Sequence, residues 1–196
     1  DGDPEAQAKL GYCYQKGLGI AANPELAYSW FKTAATAAYG PALVHLGDCY
    51  RYGDGTALDY QKAYESYRSA AELNEPSGAF NLAVAYSEGM GAEMSETEAF
   101  KWMKKAADEN LALAQIQLGL YLQRGYGIDK ADPQLALEYF QKAALLDEPL
   151  AMLQSAKCYM EGTGTEKNPE KAKYWLAKAA ALGNREALTL YEQYFP

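Results

Sequence analysis

The chain has 196 residues, of which 49% are hydrophobic, and a formal net charge of −8. An acidic chain without a cluster of Lys and Arg is a poor nucleic-acid binder, and no apolar run approaches the ~18 residues that a membrane-spanning helix needs. The length suits one ordinary globular domain, but a fixed internal period overrides that prior.

The period is Leu-Gly, a Tyr three residues on, and then Gly-x-Gly. It is first met at Leu10-Gly11, Tyr14 and Gly17-x-Gly19, and again at Leu46-Gly47, Tyr50 and Gly53-x-Gly55. Later copies are Leu82-Ala83 with Tyr86 and Gly89-x-Gly91, Leu118-Gly119 with Leu122 and Gly125-x-Gly127, and Ser155-Ala156 with Tyr159 and Gly162-x-Gly164. Successive first glycines are 36, 36, 36 and 37 residues apart. A period of this length marks a stacked array whose thin core is shared between neighbours.

Each repeat predicts two helices. The opening Gly2-Asp3-Pro4-Glu5-Ala6 has the register of Gly183-Asn184-Arg185-Glu186-Ala187, a junction between repeats, so the chain reads as a fragment or a processed form. Helix A then runs from Ala6, Ala42, Gly78, Ala114 or Ala151 to the Gly-x-Gly. In repeat 2 its apolar residues are Ala42, Leu46, Cys49 and Tyr50, one helical face, and Gly47 on that face permits close helix approach. Helix B opens behind Asn23, Asp59, Ser95, Asp132 and Asn168, all good N-cap types, with Pro24, Pro133 and Pro169 at the first helical position. Ser95-Glu96-Thr97-Glu98 is a capping box, and repeat 4 needs one extra loop residue to hold the register.

The B helices carry aromatic bulk among alanines: Ala27, Trp30-Phe31 and Ala34-Ala35 in repeat 1, and Ala172, Trp175-Leu176 and Ala179-Ala180 in repeat 5. They are expected to stop at Ala38, Asn74, Asn110, Asp147 and Gly183. Four of these types tolerate a left-handed cap, and Gly40 is expected to serve in place of Ala38. After Ala187, the segment Leu188 to Phe195 begins a sixth A helix with no B partner, a C-terminal cap.

Cys13, Cys49 and Cys158 share one slot, four residues before the first glycine. Equivalent positions on neighbouring helices lie ~10 Å apart, beyond disulfide reach, so they are expected to be buried thiols. Gly-x-Gly ahead of a helix suggests a phosphate cradle, but such sites need a preceding strand, and none is predicted. His45 is the only histidine; its slot holds Lys9, Asn81, Gln117 and Gln154 elsewhere, which reads as a solvated position. Cys49, one turn away, is its only nucleophile candidate, and that slot is core-like. No metal or cofactor site is predicted.

The pattern Ala-x3-Leu-Gly-x2-Tyr-x2-Gly-x-Gly, then Asn/Asp-Pro, then Ala-x2-Trp-Phe/Tyr-x2-Ala-Ala resembles the Sel1-like repeat family, relatives of the tetratricopeptide repeats. The resemblance covers essentially the whole chain. Departures are Leu122 for Tyr, Ser155-Ala156 for Leu-Gly, and Ser66 for the aromatic. It implies an all-α, right-handed α–α superhelix of five repeats, 6–41, 42–77, 78–113, 114–150 and 151–186, with a cap at 187–196. It further implies a non-enzymatic adaptor or scaffold for a protein or peptide partner, monomeric, in a bacterial and often exported setting. Two alternatives stand beside it: a β-lactam-directed hydrolase or penicillin-binding protein, and a spacer within a longer array. Ser29-Trp30-Phe31-Lys32 matches the Ser-x-x-Lys motif of penicillin enzymes, but Ser29 occupies a polar outer slot and no Ser-Asp-Asn or Lys-Thr-Gly element accompanies it.

The same resemblance puts the A helices on a concave groove. At 100° per residue, the face opposite Leu46 and Tyr50 holds slots 41, 44, 48, 51 and 52, numbered as in repeat 2. The expected partner-binding residues are Tyr12, Val44, Asp48, Tyr52, Phe80, Val84, Ile116, Leu120, Arg124 and Lys157. Phe80, Val84, Ile116 and Leu120 form an apolar centre within a charged rim, the anatomy of a protein interface, although slot 44 equally suits a thickened core.

Overall fold

The computed structural model describes residues 2–195, in which every regular element is helical. In chain order these are α1 (Pro4–Lys16), α2 (Pro24–Ala35), α3 (Gly40–Tyr52), α4 (Tyr60–Glu72), α5 (Pro76–Glu88) and α6 (Glu96–Asp108). They continue with α7 (Ala112–Arg124), α8 (Pro133–Ala144), α9 (Pro149–Glu161), α10 (Pro169–Ala181) and α11 (Arg185–Tyr194). The odd-numbered helices are the A helices and the even-numbered ones the B helices, with α11 the unpaired C-terminal helix. The chain divides into two compact units, residues 1–102 and 103–196, with the division inside α6.

The A helices begin about one half-turn earlier than the recurring alanines suggest, at Pro4, Gly40, Pro76, Ala112 and Pro149. At Pro4, Pro76 and Pro149 the helix starts on a proline, which is preorganised for the first turn, where its missing N–H is not needed; α3 has Pro41 second, and α7 starts without one. Asp3 caps α1, its carboxylate accepting from the amides of Glu5 and Ala6. B-helix caps work as the sequence predicts: the side chains of Asn23, Asp59, Asp132 and Asn168 accept from the amides of Leu26, Lys62, Leu135 and Lys171. Ser95 Oγ accepts from Glu98 in the same way. The backbone N–H of each cap residue also donates to the slot-50 carbonyl, from Asn23 to Tyr14 and from Asp59 to Tyr50, which ties the Gly-x-Gly loop to its own A helix.

Gly40 does not take over the left-handed cap after α2. Ala38 itself adopts φ 53°, as Asn74, Asn110 and Asp147 do at φ 60–62°, while Gly40 is already the first residue of α3. Three consecutive bonds set this turn: Thr36, Ala37 and Ala38 donate to the carbonyls of Thr33, Ala34 and Ala35. A Cβ in this conformation costs ~1–2 kcal/mol. Ala38→Gly should therefore raise the thermal melting temperature, by about 1 kcal/mol of stability net of unfolded-state entropy. An unchanged or lowered melting temperature would show that the strain at residue 38 is relieved elsewhere.

Within a repeat, the A-helix glycine admits an aromatic ring from the B helix. A Cβ on Gly11 would sit 2.8 Å from Phe31 Cε1, and one on Gly47 would sit 2.5 Å from Tyr67 Cε1. Gly119 faces Phe140 in the same way, and Phe31, Tyr67 and Phe140 are fully buried. Repeat 5 carries Ala156 where these repeats have glycine, and opposite it the smaller Leu176. In the first unit, successive repeats are also joined by tyrosine pairs, Tyr28 with Tyr50 at 3.0 Å and Tyr64 with Tyr86 at 2.9 Å between hydroxyls. In the second, Gln141 Nε2 donates to Tyr159 Oη at 2.7 Å.

Candidate partner-binding surface

In the first unit, α1 lies beside α3 and α3 beside α5. Slot 44 turns inward: Ala8 is buried, and Val44 keeps only 8% of its surface, so Val44 serves the helix pair rather than offers its side chain to a partner. Slot 48 lies on the outer face. Tyr12 is 41% exposed, and Asp48 is half-buried with its Oδ1 accepting from the Tyr67 hydroxyl at 2.6 Å. Tyr52 projects furthest, at 67%, with the Arg51 guanidinium 5.3 Å from its ring centre. Phe80 and Val84 on α5 are half-buried.

The second unit repeats the division. Ile116 is buried among Ala143, Met152, Leu153 and Ala156, whereas Leu120 is half-buried. Arg124 is exposed, and Lys157 Nζ pairs with Glu186 Oε1 at 2.6 Å. Gln123 Nε2 donates to Cys158 Sγ at 3.4 Å, which places α7 beside α9. Of the ten expected residues, Val44 and Ile116 thus belong to the core. Leu113 and Leu150, exposed leucines of slot 41 that the sequence reading passed over, lie on the same A-helix face. Their slot was already assigned to that face, so reading its occupants would have found them.

His45 is not the solvated residue that its slot neighbours suggest. Its ring stacks on Phe31 at 4.7 Å between centroids and lies 6.0 Å from Tyr12. Burial holds its pKa below the ordinary imidazole value, with Lys16 acting in the same direction and Asp48 and Glu75 opposing. Asp48 is shifted the other way: burial raises its carboxyl, and the Tyr67 hydrogen bond partly offsets this.

The cysteines are unpaired thiols, Cys49 and Cys158 buried and Cys13 partly so. Burial pushes the Cys49 thiol up to about 12 and Cys158 to about 11. A thiol so poised stays protonated near neutrality and is a poor partner for His45 in nucleophilic chemistry. Ser29 lies on the exposed side of α2, and Lys32 Nζ lies over the Tyr28 ring at 5.8 Å. Among the described residues, no group of three or more His, Cys, Asp or Glu is placed to hold a metal, and no helix is long and apolar enough to cross a membrane.

Comparison with known proteins places this geometry. The Sel1 repeat matches residues 4–39, 40–75, 76–111, 112–148 and 149–184, two residues ahead of the boundaries read from the glycine period and in step with the helix starts. The curated proteins yield no match. Among solved structures, a protective antigen of uropathogenic Escherichia coli with the SLR fold is 28% identical with a TM-score of 0.89. The match covers 96% of this chain and 40% of that one, so this chain spans two-fifths of the antigen's length. A Sel1 repeat protein from Oxalobacter formigenes is 32% identical with a TM-score of 0.85, over 96% of this chain and 75% of that one. Cysteine rich protein B of Helicobacter pylori is 28% identical with a TM-score of 0.54, over 68% of this chain and 95% of that one. Five consecutive repeats and a closing helix, with the relatives that share them, make this chain an all-α solenoid of the Sel1 repeat family, whose members generally serve as scaffolds for protein interaction.

Proposed function

We propose that this chain is a non-enzymatic adaptor that holds a protein or peptide partner on the face formed by the A helices of its first unit, α1, α3 and α5. The observation that carries the reading is the pair of exposed tyrosines, Tyr12 on α1 and Tyr52 on α3, standing among Lys16, Arg51 and half-buried Asp48. Tyrosine supplies large contact area at low entropic cost, and tyrosine with arginine is the usual composition of a binding hot spot. On the A helices, slot 48 changes from repeat to repeat, reading Tyr12, Asp48, Val84, Leu120 and Lys157. The B helices repeat their alanines and buried rings to hold the array together.

A random peptide library displayed on phage and selected on the immobilised protein supplies a ligand for the test. Tyr52→Ala should weaken the selected peptide about 10-fold, equivalent to ~1.4 kcal/mol, with no change in melting temperature because the side chain is exposed. Tyr174→Ala, at an exposed aromatic on the B helix α10, should leave binding intact. The opposite pattern would move the interface to the B helices and overturn the proposal.

A further inference from the structure

Between α1 and α3 lies a cleft of about 390 Å3, lined by Ala8, Tyr12, Cys13, Tyr39, Pro41 and His45. Its origin is legible in the repeat register. Slot 44 carries Val44, Phe80, Ile116 and Leu153 in the other repeats but Ala8 here, so a branched or aromatic side chain is missing from the wall. The volume lies within the ~300–1,000 Å3 of ordinary ligand pockets. Tyr12, Tyr39, Pro41 and His45 surround it with ring faces and edges, and the His45 ring is braced from behind by its stack on Phe31. Rings arranged in this way favour an aromatic guest through edge-to-face and offset contact.

The charges at its mouth are equally specific. Glu5 and Lys9, which line it, are paired with each other at 2.6 Å; Asp48 is engaged by the Tyr67 hydroxyl, and Glu75 acts on His45 from the start of α5. Lys16 meets no carboxylate among the described residues; its ammonium lies 6.0 Å from the Tyr12 ring, one helical turn along α1 from the cleft. An acidic protein therefore presents a lysine outside any ion pair beside an apolar, ring-lined cleft.

We propose that this cleft is the anchor pocket for an aromatic side chain of a partner peptide, with an acidic residue next to it in the peptide held by Lys16. The proposal rests on the A-helix reading above and names one subsite and one partner chemistry within it. Removing slot-44 bulk in repeat 1 opens the pocket, His45 and the tyrosines grip the ring, and Lys16 sets orientation and the attraction at a distance.

The probe is the capped peptide Gly-Phe-Glu-Glu, titrated into the 15N-labelled protein, with analogues replacing Phe by Ala or both Glu by Gln. The full peptide should shift the amide signals of residues 8, 12 and 45, and the Ala analogue should bind at least 10-fold more weakly. Ala8→Leu fills the pocket with a side chain that the equivalent position 153 already buries, so the protein should stay folded and lose at least 10-fold in affinity. Lys16→Gln should cost about 3-fold at low salt and little at high salt, and the Gln analogue should no longer sense it. Undiminished binding to Ala8→Leu, or no binding of the peptide at all, overturns the pocket assignment. Shifts confined to the surroundings of Tyr52 would also sink the pocket while leaving the A-helix surface standing. Shifts around Tyr174 on α10 would sink both.

Discussion

Gly55→Ala should lower stability by about 3 kcal/mol or more, whereas Gly19→Ala should cost about 1 kcal/mol, although both are the second glycine of the same motif. Their backbones are indistinguishable, with φ of 73° and 71°. What differs is the company. A Cβ on Gly55 would overlap the carbonyl of Pro24 and approach Glu25 N to 2.9 Å, because the loop of repeat 2 rests on the first turn of α2. Gly91 rests on Tyr60 and Gly164 on Pro133 in the same manner, but nothing lies within 4 Å of a Cβ on Gly19. The obstacle at Gly55 is backbone, held at the capped start of a helix, and cannot swing aside as a side chain would. Relief requires one repeat to move off the next. Thermal melts of the two variants provide the check, and a chain of this size should lose ~6–12 °C for Gly55→Ala. Equal losses at both sites would mean that only the left-handed backbone matters and that the contact between repeats is soft.

The second large effect lies where helix A meets helix B. Gly119→Ala gains about 1 kcal/mol of helix propensity but drives a methyl group into the ring of Phe140, which is fully buried and has nowhere to retreat. Overpacking of this kind costs ~1–3 kcal/mol, so the net should be a loss of up to about 2 kcal/mol. Phe140→Leu alone leaves a void and should also destabilise. The double variant recreates the combination that repeat 5 already uses, Ala156 against Leu176. It should therefore be at least ~1 kcal/mol more stable than the sum of the two single changes predicts. Denaturant unfolding of all four proteins measures the coupling; strict additivity would show that the glycine and the ring are independent choices.

Much of the molecule was already determined by the order of residues. The period of the glycines, the polar caps ahead of each B helix and the alternation of rings with alanines are local signals, repeated five times, and a local signal survives without knowledge of its neighbours. Four of the A-helix starts were displaced by two residues because a proline in the first turn reads equally as a loop until the backbone is closed around it; the start of α7, at Ala112, has no proline to explain it. Ala38 was misjudged for a related reason: its neighbours' hydrogen bonds, not its own preference, hold it left-handed.

The binding surface was legible as a face but not as a set of residues. A helical wheel places slots 44 and 48 together on one side, yet Val44 and Ile116 are buried while Tyr12 stands exposed. The slots are 40° apart around the helix axis, and the position of the adjoining helix decides which side of that narrow boundary is covered. His45 likewise took its neighbours' polar character on the wheel, and only the packing of α3 against α2 and α1 turned it into a ring stacked on Phe31 beside a cleft. Repetition in the sequence dictates what every repeat must share. The differences that give a surface its specificity, such as Ala8 in place of a larger residue, acquire meaning only when one repeat is set against the next.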